Sequence, residues 1–196
     1  MRFDLQFISN WVKPDSRVLD LGCGNGDLLQ TLRSDLGAQG IGIEIDADHI
    51  TSCVAKGINV LEQDLNNGLI NFQDNSFDVV IMAHSLQTLS APHLVIDEML
   101  RIGRECIVTF PNFGHWRCRL HLSLQGRMPV SKFMPHHWFD TPNIHFCTVS
   151  DFETLCSEKG ITIIDSAVVD DNASQGFLGK LLPNLFGVTA VYHISR

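Results

Sequence analysis

The chain has 196 residues, 44% hydrophobic and 18% charged, which is enough apolar material for one domain with its own core and too much for a disordered chain. Asp and Glu number 22 against 14 Lys and Arg, a formal net charge of −8. Such a field repels a phosphate backbone and anionic lipid, which argues against nucleic-acid and membrane-surface binding.

Met1-Arg2-Phe3-Asp4 places an acid where a secretory signal would run on into apolar residues. The uncharged run from Val79 to Ile96 is broken by His84, Ser85, Gln87 and Pro92, so no membrane span is expected there. The six cysteines (Cys23, Cys53, Cys106, Cys118, Cys147, Cys156) never fall in a CxxC or other tight pair. Reduced thiols in a cytoplasmic protein are the expectation, not a disulfide framework or a zinc site.

In chain order, Phe3, Phe7, Ile8, Trp11 and Val12 recur at helical spacing and predict an amphipathic helix, stopped by Lys13-Pro14-Asp15. Arg17-Val18-Leu19-Asp20-Leu21 is a short apolar run that ends in glycines and reads as a buried strand. Asp27 to Leu36 carries Leu28, Leu29, Leu32 and Leu36 on one face, with Gly37 at the stop. Gly40 to Glu44 is a second strand, Asp46 to Lys56 a helix closed by Gly57, and Val60 to Glu62 a third strand. Phe77 to Met82 is β-branched and uninterrupted, the plainest strand of the chain.

Ser90 is placed to cap a helix that has Pro92 in its first turn. Cys106 to Phe110 is a fifth strand, ended by Pro111-Asn112. Ser150-x-x-Glu153 matches a capping box. Ile161 to Val169 and Gly187 to Ile194 are the last two strands. Strands alternating with helices of about ten residues imply βαβ units, a mostly parallel sheet and an α/β doubly wound domain. The stretch 112–148 interrupts the alternation. Rich in His, Trp, Arg and Pro, it reads as a segment inserted over the carboxyl edge of the sheet, where ligands bind in this architecture.

The strongest chemical signal is Asp20-Leu21-Gly22-Cys23-Gly24-Asn25-Gly26-Asp27, a strand delivering three glycines straight into a helix. Glycine lets backbone turn sharply and approach a ligand closely. The GxGxG spacing differs from the dinucleotide fingerprint GxGxxG, and carboxylates at the turn would repel a pyrophosphate, so a nicotinamide-linked oxidoreductase is disfavoured. They suit a ligand with a cationic amine and a sulfonium. Glu44, at the end of the second strand, can accept two hydrogen bonds from a ribose diol. Asp64, in Gln63-Asp64-Leu65, can take an exocyclic amine of an adenine. Cys23 is read as a small residue fitting the turn, because Asp20 and Asp27 oppose a thiolate.

LDLGCGNG followed by GIEID, QDL and FDVVI resembles the class I S-adenosylmethionine-dependent methyltransferase family over roughly residues 15 to 111. The resemblance implies a Rossmann-like doubly wound, mostly parallel seven-stranded sheet with an antiparallel last strand. It implies S-adenosylmethionine or S-adenosylhomocysteine as cofactor, with Gly22, Cys23, Gly24 and Gly26 at the methionine half. Asp20 then orients the loop or meets the amino group, Glu44 holds the ribose, Asp64 with Leu65 meets the adenine, and Ile45 is a further cofactor-binding residue. His84, after the fourth strand, is within reach of the methionine end.

FPNFGHWRCRL, GRMPV and WFDTPNIHFCTVSDF are similar to the running pattern of one narrower family, that of the methionine biosynthesis protein MetW, and the likeness extends over residues 1–196 as a single domain. That resemblance implies a partner of homoserine O-acyltransferase, supporting its activity, with S-adenosylmethionine sensed or retained. The alternative is an independent methyltransferase acting on a small molecule, an in-line displacement that needs alignment and little catalytic signature. In that reading His115, His137 and His145 are candidate general bases. No HxH or HxxxH pair occurs, so a metal site is not expected. The NPPY tetrapeptide and Pro-Cys dyad of nucleic-acid methyltransferases are missing as well.

Overall fold

The computed structural model describes residues 4–131, 134–169 and 176–196. Phe3, assigned above to the first helix, lies outside the described residues. In order the elements are α1 (Asp4–Trp11), β1 (Arg17–Leu21), α2 (Asp27–Leu36), β2 (Gln39–Glu44), α3 (Ala47–Ala55), β3 (Asn59–Glu62), β4 (Phe77–Ala83), α4 (Pro92–Ile102) and β5 (Gly103–Pro111). They continue with α5 (Trp116–Gln125), α6 (Val149–Lys159), β6 (Thr162–Val169), short helices α7 (Phe177–Leu181) and α8 (Pro183–Phe186), and β7 (Thr189–Ser195). Two single 3-10 turns, Leu65–Asn67 and Leu86–Thr88, follow β3 and β4.

The seven strands form one sheet in the order β3-β2-β1-β4-β5-β7-β6, with β1 to β5 parallel and β7 antiparallel to both β5 and β6. The expected architecture is the observed one. Strand order reverses between β1 and β4, so the crevice outside their carboxyl ends is where such a sheet takes a ligand.

Each face of the sheet is covered. On one, Leu21, Met82, Phe110, Phe152 and Tyr192 join the buried face of α4 and α6. On the other, Ile81 and Val191 meet Ile8 of α1 and Leu28 and Leu32 of α2. Gly37 closes α2 in the left-handed region at φ 66°, as the sequence predicts. Asp46 and Lys56 lie just outside α3 as its caps, Asp46 accepting from the backbone N–H groups of Asp48 and His49.

Two capping expectations are corrected. Ser90 does not cap α4. The N-cap is Ala91, without a side-chain bond, and the backbone N–H of Ser90 donates instead to Asn66 Oδ1 at 2.8 Å. The box of α6 is formed by Thr148 and Asp151, two residues earlier than Ser150 and Glu153. Starting there lets Val149 enter the helix buried, and it releases Ser150 to accept from Asn184 Nδ2 and Glu153 to accept from the Tyr192 hydroxyl. Within 112–148 the structure forms α5, which buries only Cys118 among its ten residues and so shows no amphipathic period in sequence.

α1 is latched to the sheet through Glu105. Its carboxylate accepts from Lys13 Nζ at 3.1 Å and from His193 Nε2 at 2.9 Å, and the Trp11 ring stacks on His193. Burial pushes this carboxyl up, but the bonds from Lys13 and His193 outweigh it and hold it below its ordinary value of 4.5. A carboxyl depressed by folding contributes stability above its unfolded value and loses it as pH falls through the folded one. Melting temperature is therefore expected to drop as pH is lowered below 4.5, and Glu105→Gln should make that acid limb shallower. Thermal melts of both proteins across pH 3 to 7 check this, and parallel limbs would contradict it.

Candidate functional site

β1 passes directly into the glycine loop, whose first two amides continue the ladder onto β2: Gly22 N and Cys23 N both donate to Ile43 O, at 2.9 and 3.0 Å. Gly22, Gly24 and Gly26 all have positive φ, 75°, 53° and 75°, a region costly for residues with a Cβ. Their surroundings differ. A Cβ on Gly22 would strike the Ser85 side chain, and one on Gly26 would meet Cys53 Sγ at 2.9 Å. A Cβ on Gly24 would meet nothing within 4 Å. Gly22 and Gly26 are thus close-packing glycines, and Gly24 is the one whose face is open to a ligand.

Cys23 points under the loop, against Gly42, with its sulfur 3.9 Å from that of Cys53. Burial, reinforced by the Asp20 charge, pushes its thiol far above the ordinary value, so it is no nucleophile. Asp20, in β1 between Gly42 and Ile81, is 2% exposed. Asp27 is paired with Lys56, which also donates to Asn25 O at 2.7 Å.

Glu44 ties the end of β2 to the loop. Its Oε2 accepts from Gly24 N at 2.8 Å, and its Oε1 accepts from Ile45 N and Asp46 N at 2.8 and 3.1 Å. A carboxylate has about four lone-pair sites, so accepting capacity remains beyond these three bonds. Ile45 next to it is exposed, an apolar surface at the strand end. Asp64 caps the turn after β3, accepting from the backbone and side chain of Asn66 at 2.9 Å. The Leu65 side chain packs into the core, so that residue can offer a ligand only its backbone.

His84 follows β4 in the left-handed region at φ 63°, its N–H bonded to Thr109 O at 3.0 Å. Strained backbone of this kind gathers at functional sites. Gln87 beyond it is buried. It donates to Pro111 O at 3.3 Å, and its own carbonyl accepts from Ile144 N and His145 N at 2.9 and 3.1 Å. The 112–148 segment is thereby fastened beside the β4 loop.

The three candidate bases have separate surroundings. His115 is buried at the start of α5, with Nδ1 accepting from Arg117 N at 3.4 Å. His137 is exposed and stacks on Phe139, and His145 approaches Ser90 O at 3.4 Å. Among the described residues no cluster of three or more His, Cys, Asp or Glu could hold a metal ion, and no helix is long and apolar enough to cross a membrane.

Two residues escaped the sequence reading. Ser85 fills the space that Gly22 leaves, and nothing in a single polar loop residue announces it. Asn112 is 2% exposed and spends its whole amide. Nδ2 donates to Asn184 O and Gly187 O at 3.1 and 2.8 Å, and Oδ1 accepts from Gly114 N and Val149 N at 2.9 and 3.2 Å. Its signal was an Asn directly after a strand-ending proline.

Strand order, the antiparallel last strand and the loop between β1 and α2 together define the class I methyltransferase fold. Among solved structures, an S-adenosylmethionine-dependent methyltransferase from Mesorhizobium loti superposes with a TM-score of 0.71 at 13% identity, covering 98% of this chain and 95% of that one. One from Archaeoglobus fulgidus gives 0.69 at 18% identity, over 98% and 91%. The family model of the methionine biosynthesis protein MetW matches residues 2–194, and the chain belongs to that family.

The bifunctional methionine biosynthesis protein MetXA/MetW of Rhodopirellula baltica is 33% identical over 205 residues, a match that takes in 100% of this chain and 33% of that protein. The chain thus spans about a third of that relative's length. A ubiquinone/menaquinone biosynthesis C-methyltransferase UbiE of Stenotrophomonas maltophilia is 32% identical over 101 residues, 46% of this chain and 39% of that one.

The unequal roles of the glycines are measurable. Gly24→Ala should cost about 1–2 kcal/mol, the penalty of the left-handed conformation alone. Gly22→Ala should cost more, and Ser85→Gly should recover part of the excess in the double variant. Denaturant unfolding of the four proteins checks this, and equal losses at the two glycines would overturn the distinction.

Proposed function

We propose that the chain serves methionine biosynthesis in the cytoplasm as a partner subunit of homoserine O-acyltransferase, and that it holds S-adenosylmethionine or S-adenosylhomocysteine at the β1–α2 loop. The observation that carries the partner reading is the relative in Rhodopirellula baltica, a bifunctional protein named MetXA/MetW, in which the part like this chain accounts for a third of the length. The exposed aromatic side chains of the 112–148 segment fit it too. Trp138 is 75% exposed and Phe139 69%, in a region that we assign as the partner-facing cap of a single 1–196 domain.

The cofactor reading is supported by the open face of Gly24, a space that a Cβ would enter. Around it, Asp20, Gly22, Cys23 and Gly26 shape the methionine end. The unused accepting capacity of Glu44 suits a ribose diol, exposed Ile45 suits the flat face of an adenine, and Asp64 with the Leu65 backbone suits its edge. His84 closes the side toward β4. S-adenosylmethionine, when bound, would supply an activated methyl group, whereas S-adenosylhomocysteine has none to give.

That intact cradle also favours the second reading, an independent methyltransferase acting on a small molecule, with His115, His137 or His145 as its base. Occupancy of the loop can tune partner binding only if the cofactor has different affinity for the free and the assembled chain.

Homoserine acylation by the purified acyltransferase, with and without this chain and with succinyl-CoA or acetyl-CoA, separates the readings. We expect a higher rate, or one donor unlocked, with the chain present. An indifferent rate with no complex would leave the methyltransferase reading. Trp138→Ala and Trp116→Ala should weaken association with the acyltransferase more than cofactor affinity, and the reverse order would place them in the cofactor pocket. Glu44→Ala should weaken calorimetric S-adenosylmethionine affinity by about 1–3 kcal/mol, as for a lost charge-assisted hydrogen bond. Unchanged affinity would remove the ribose contact.

A further inference from the structure

α5 has no apolar stripe to bury, yet it carries one that is exposed. Trp116, Leu120 and Leu124 recur every four residues, and all three are exposed, Leu124 by 76%. At 3.6 residues per turn, Trp116 and Leu120 each stand about 200° around the helix from Cys118, the residue that α5 buries. The three therefore form a ridge on the side turned away from the core.

The apolar surface continues beyond α5. A hollow of about 310 Å³ beside Trp116 is shared with α7, whose Phe177 and Leu178 are both exposed, Phe177 by 78%. Single exposed apolar side chains occur on any surface, but five on two helices that share one hollow mark an interaction site.

Charge constrains what covers it. From Cys106 to Ser131 the sequence has Arg117, Arg119 and Arg127 and no Asp or Glu, in a chain whose net charge is −8. Among the described residues no acid lines the hollow beside Trp116, nor the cavity bounded by His121 and Pro129. Arg119 is exposed, its stem held by Gly114 O at 2.5 Å from Nε, and Arg127 is exposed just past the helix end. A second copy docking through the same surface would set two acid-free arginine clusters against each other, a like-charge contact that costs affinity. An anionic membrane would face the acidic remainder of the chain as well as this helix. A protein groove need cover only the helix, and at physiological salt charges farther than about 8 Å are largely screened from it.

We infer that this surface is the docking face for homoserine O-acyltransferase, its ridge and hollow meeting an apolar patch of the partner that is rimmed by carboxylates. That assignment rests on the partner reading above and adds the docking element and the chemistry of the surface it meets.

The test is calorimetric association of the full chain with the purified acyltransferase, at low and at high salt. A complex with the unaltered chain is expected, and high salt should weaken it. Leu124→Ser and Phe177→Ser should each lower the affinity about tenfold or more with the melting transition preserved. Arg127→Glu should lower it at low salt and lose most of that effect at high salt. If Phe177→Ser fails to fold, Leu124→Ser carries the test.

No complex with the unaltered chain would remove the partner reading and this docking face together. A complex that Leu124→Ser and Phe177→Ser both leave at full strength would overturn the docking face alone. Affinity indifferent to salt and to Arg127→Glu would refute the carboxylate rim. Sedimentation of the chain by itself and flotation with phosphatidylserine vesicles test the other occupants. Self-association or vesicle binding that Leu124→Ser abolishes would overturn the assignment and give the surface to a second copy or to a membrane.

Discussion

The carboxyl edge of this sheet is organised by one buried amide. Asn112, directly after β5, bonds to α8 at Asn184 and to Gly187 just past its end, to the start of its own following segment and to the first turn of α6. Three pieces of backbone far apart in sequence therefore meet on one side chain with no donor or acceptor left over. A buried amide so placed is worth keeping only when every bond is made, since each orphaned group costs about 1–3 kcal/mol. The start of α6, the entry to β7 and the direction in which the 112–148 segment leaves the sheet are set together.

The same economy governs the glycine loop. Its shape is held from three directions: by the ladder continued onto Ile43, by Glu44 accepting from Gly24, and by Ser85 and Cys53 filling the places that two glycines leave. Three of the bonds Glu44 can accept are spent on the backbone around it. A rigid loop costs little to order when a ligand arrives, so binding energy is not consumed in closing it.

Sequence and structure agree where burial dictates the pattern. β1, β4 and β5 are apolar because both faces of a parallel sheet are covered, and they could be read from composition alone. Two N-caps, those of α4 and α6, differ from the sequence expectation because such a cap depends on tertiary partners. Ser150 and Glu153 fit a box on paper, but their side chains are taken by Asn184 and Tyr192, each more than thirty residues away. α5 was illegible for a related reason. It has no buried stripe, so periodicity could not reveal it. At the site, the glycines and carboxylates stood out because strand, turn and helix bring them together locally. Ser85 and Asn112 act across the sheet, and a single sequence does not show which distant groups they meet.

The cofactor site and the partner role proposed for this chain are compatible if some element touches both. Residues 84–87 do. Ser85 packs against Gly22 at the floor of the loop, while the Gln87 carbonyl holds Ile144 and His145 of the segment assigned to the partner face. His84, in its strained left-handed conformation, heads the same stretch. Spatial continuity of this kind is necessary for coupling and not sufficient for it, because a rigid connector transmits nothing. Within the proposed function, cofactor occupancy would have to select between two arrangements of this stretch, and a tenfold effect on partner affinity would require a difference of about 1.4 kcal/mol between them. The left-handed His84 is where such a difference can be stored, since relaxing one strained residue releases an energy of that order, about 1–3 kcal/mol.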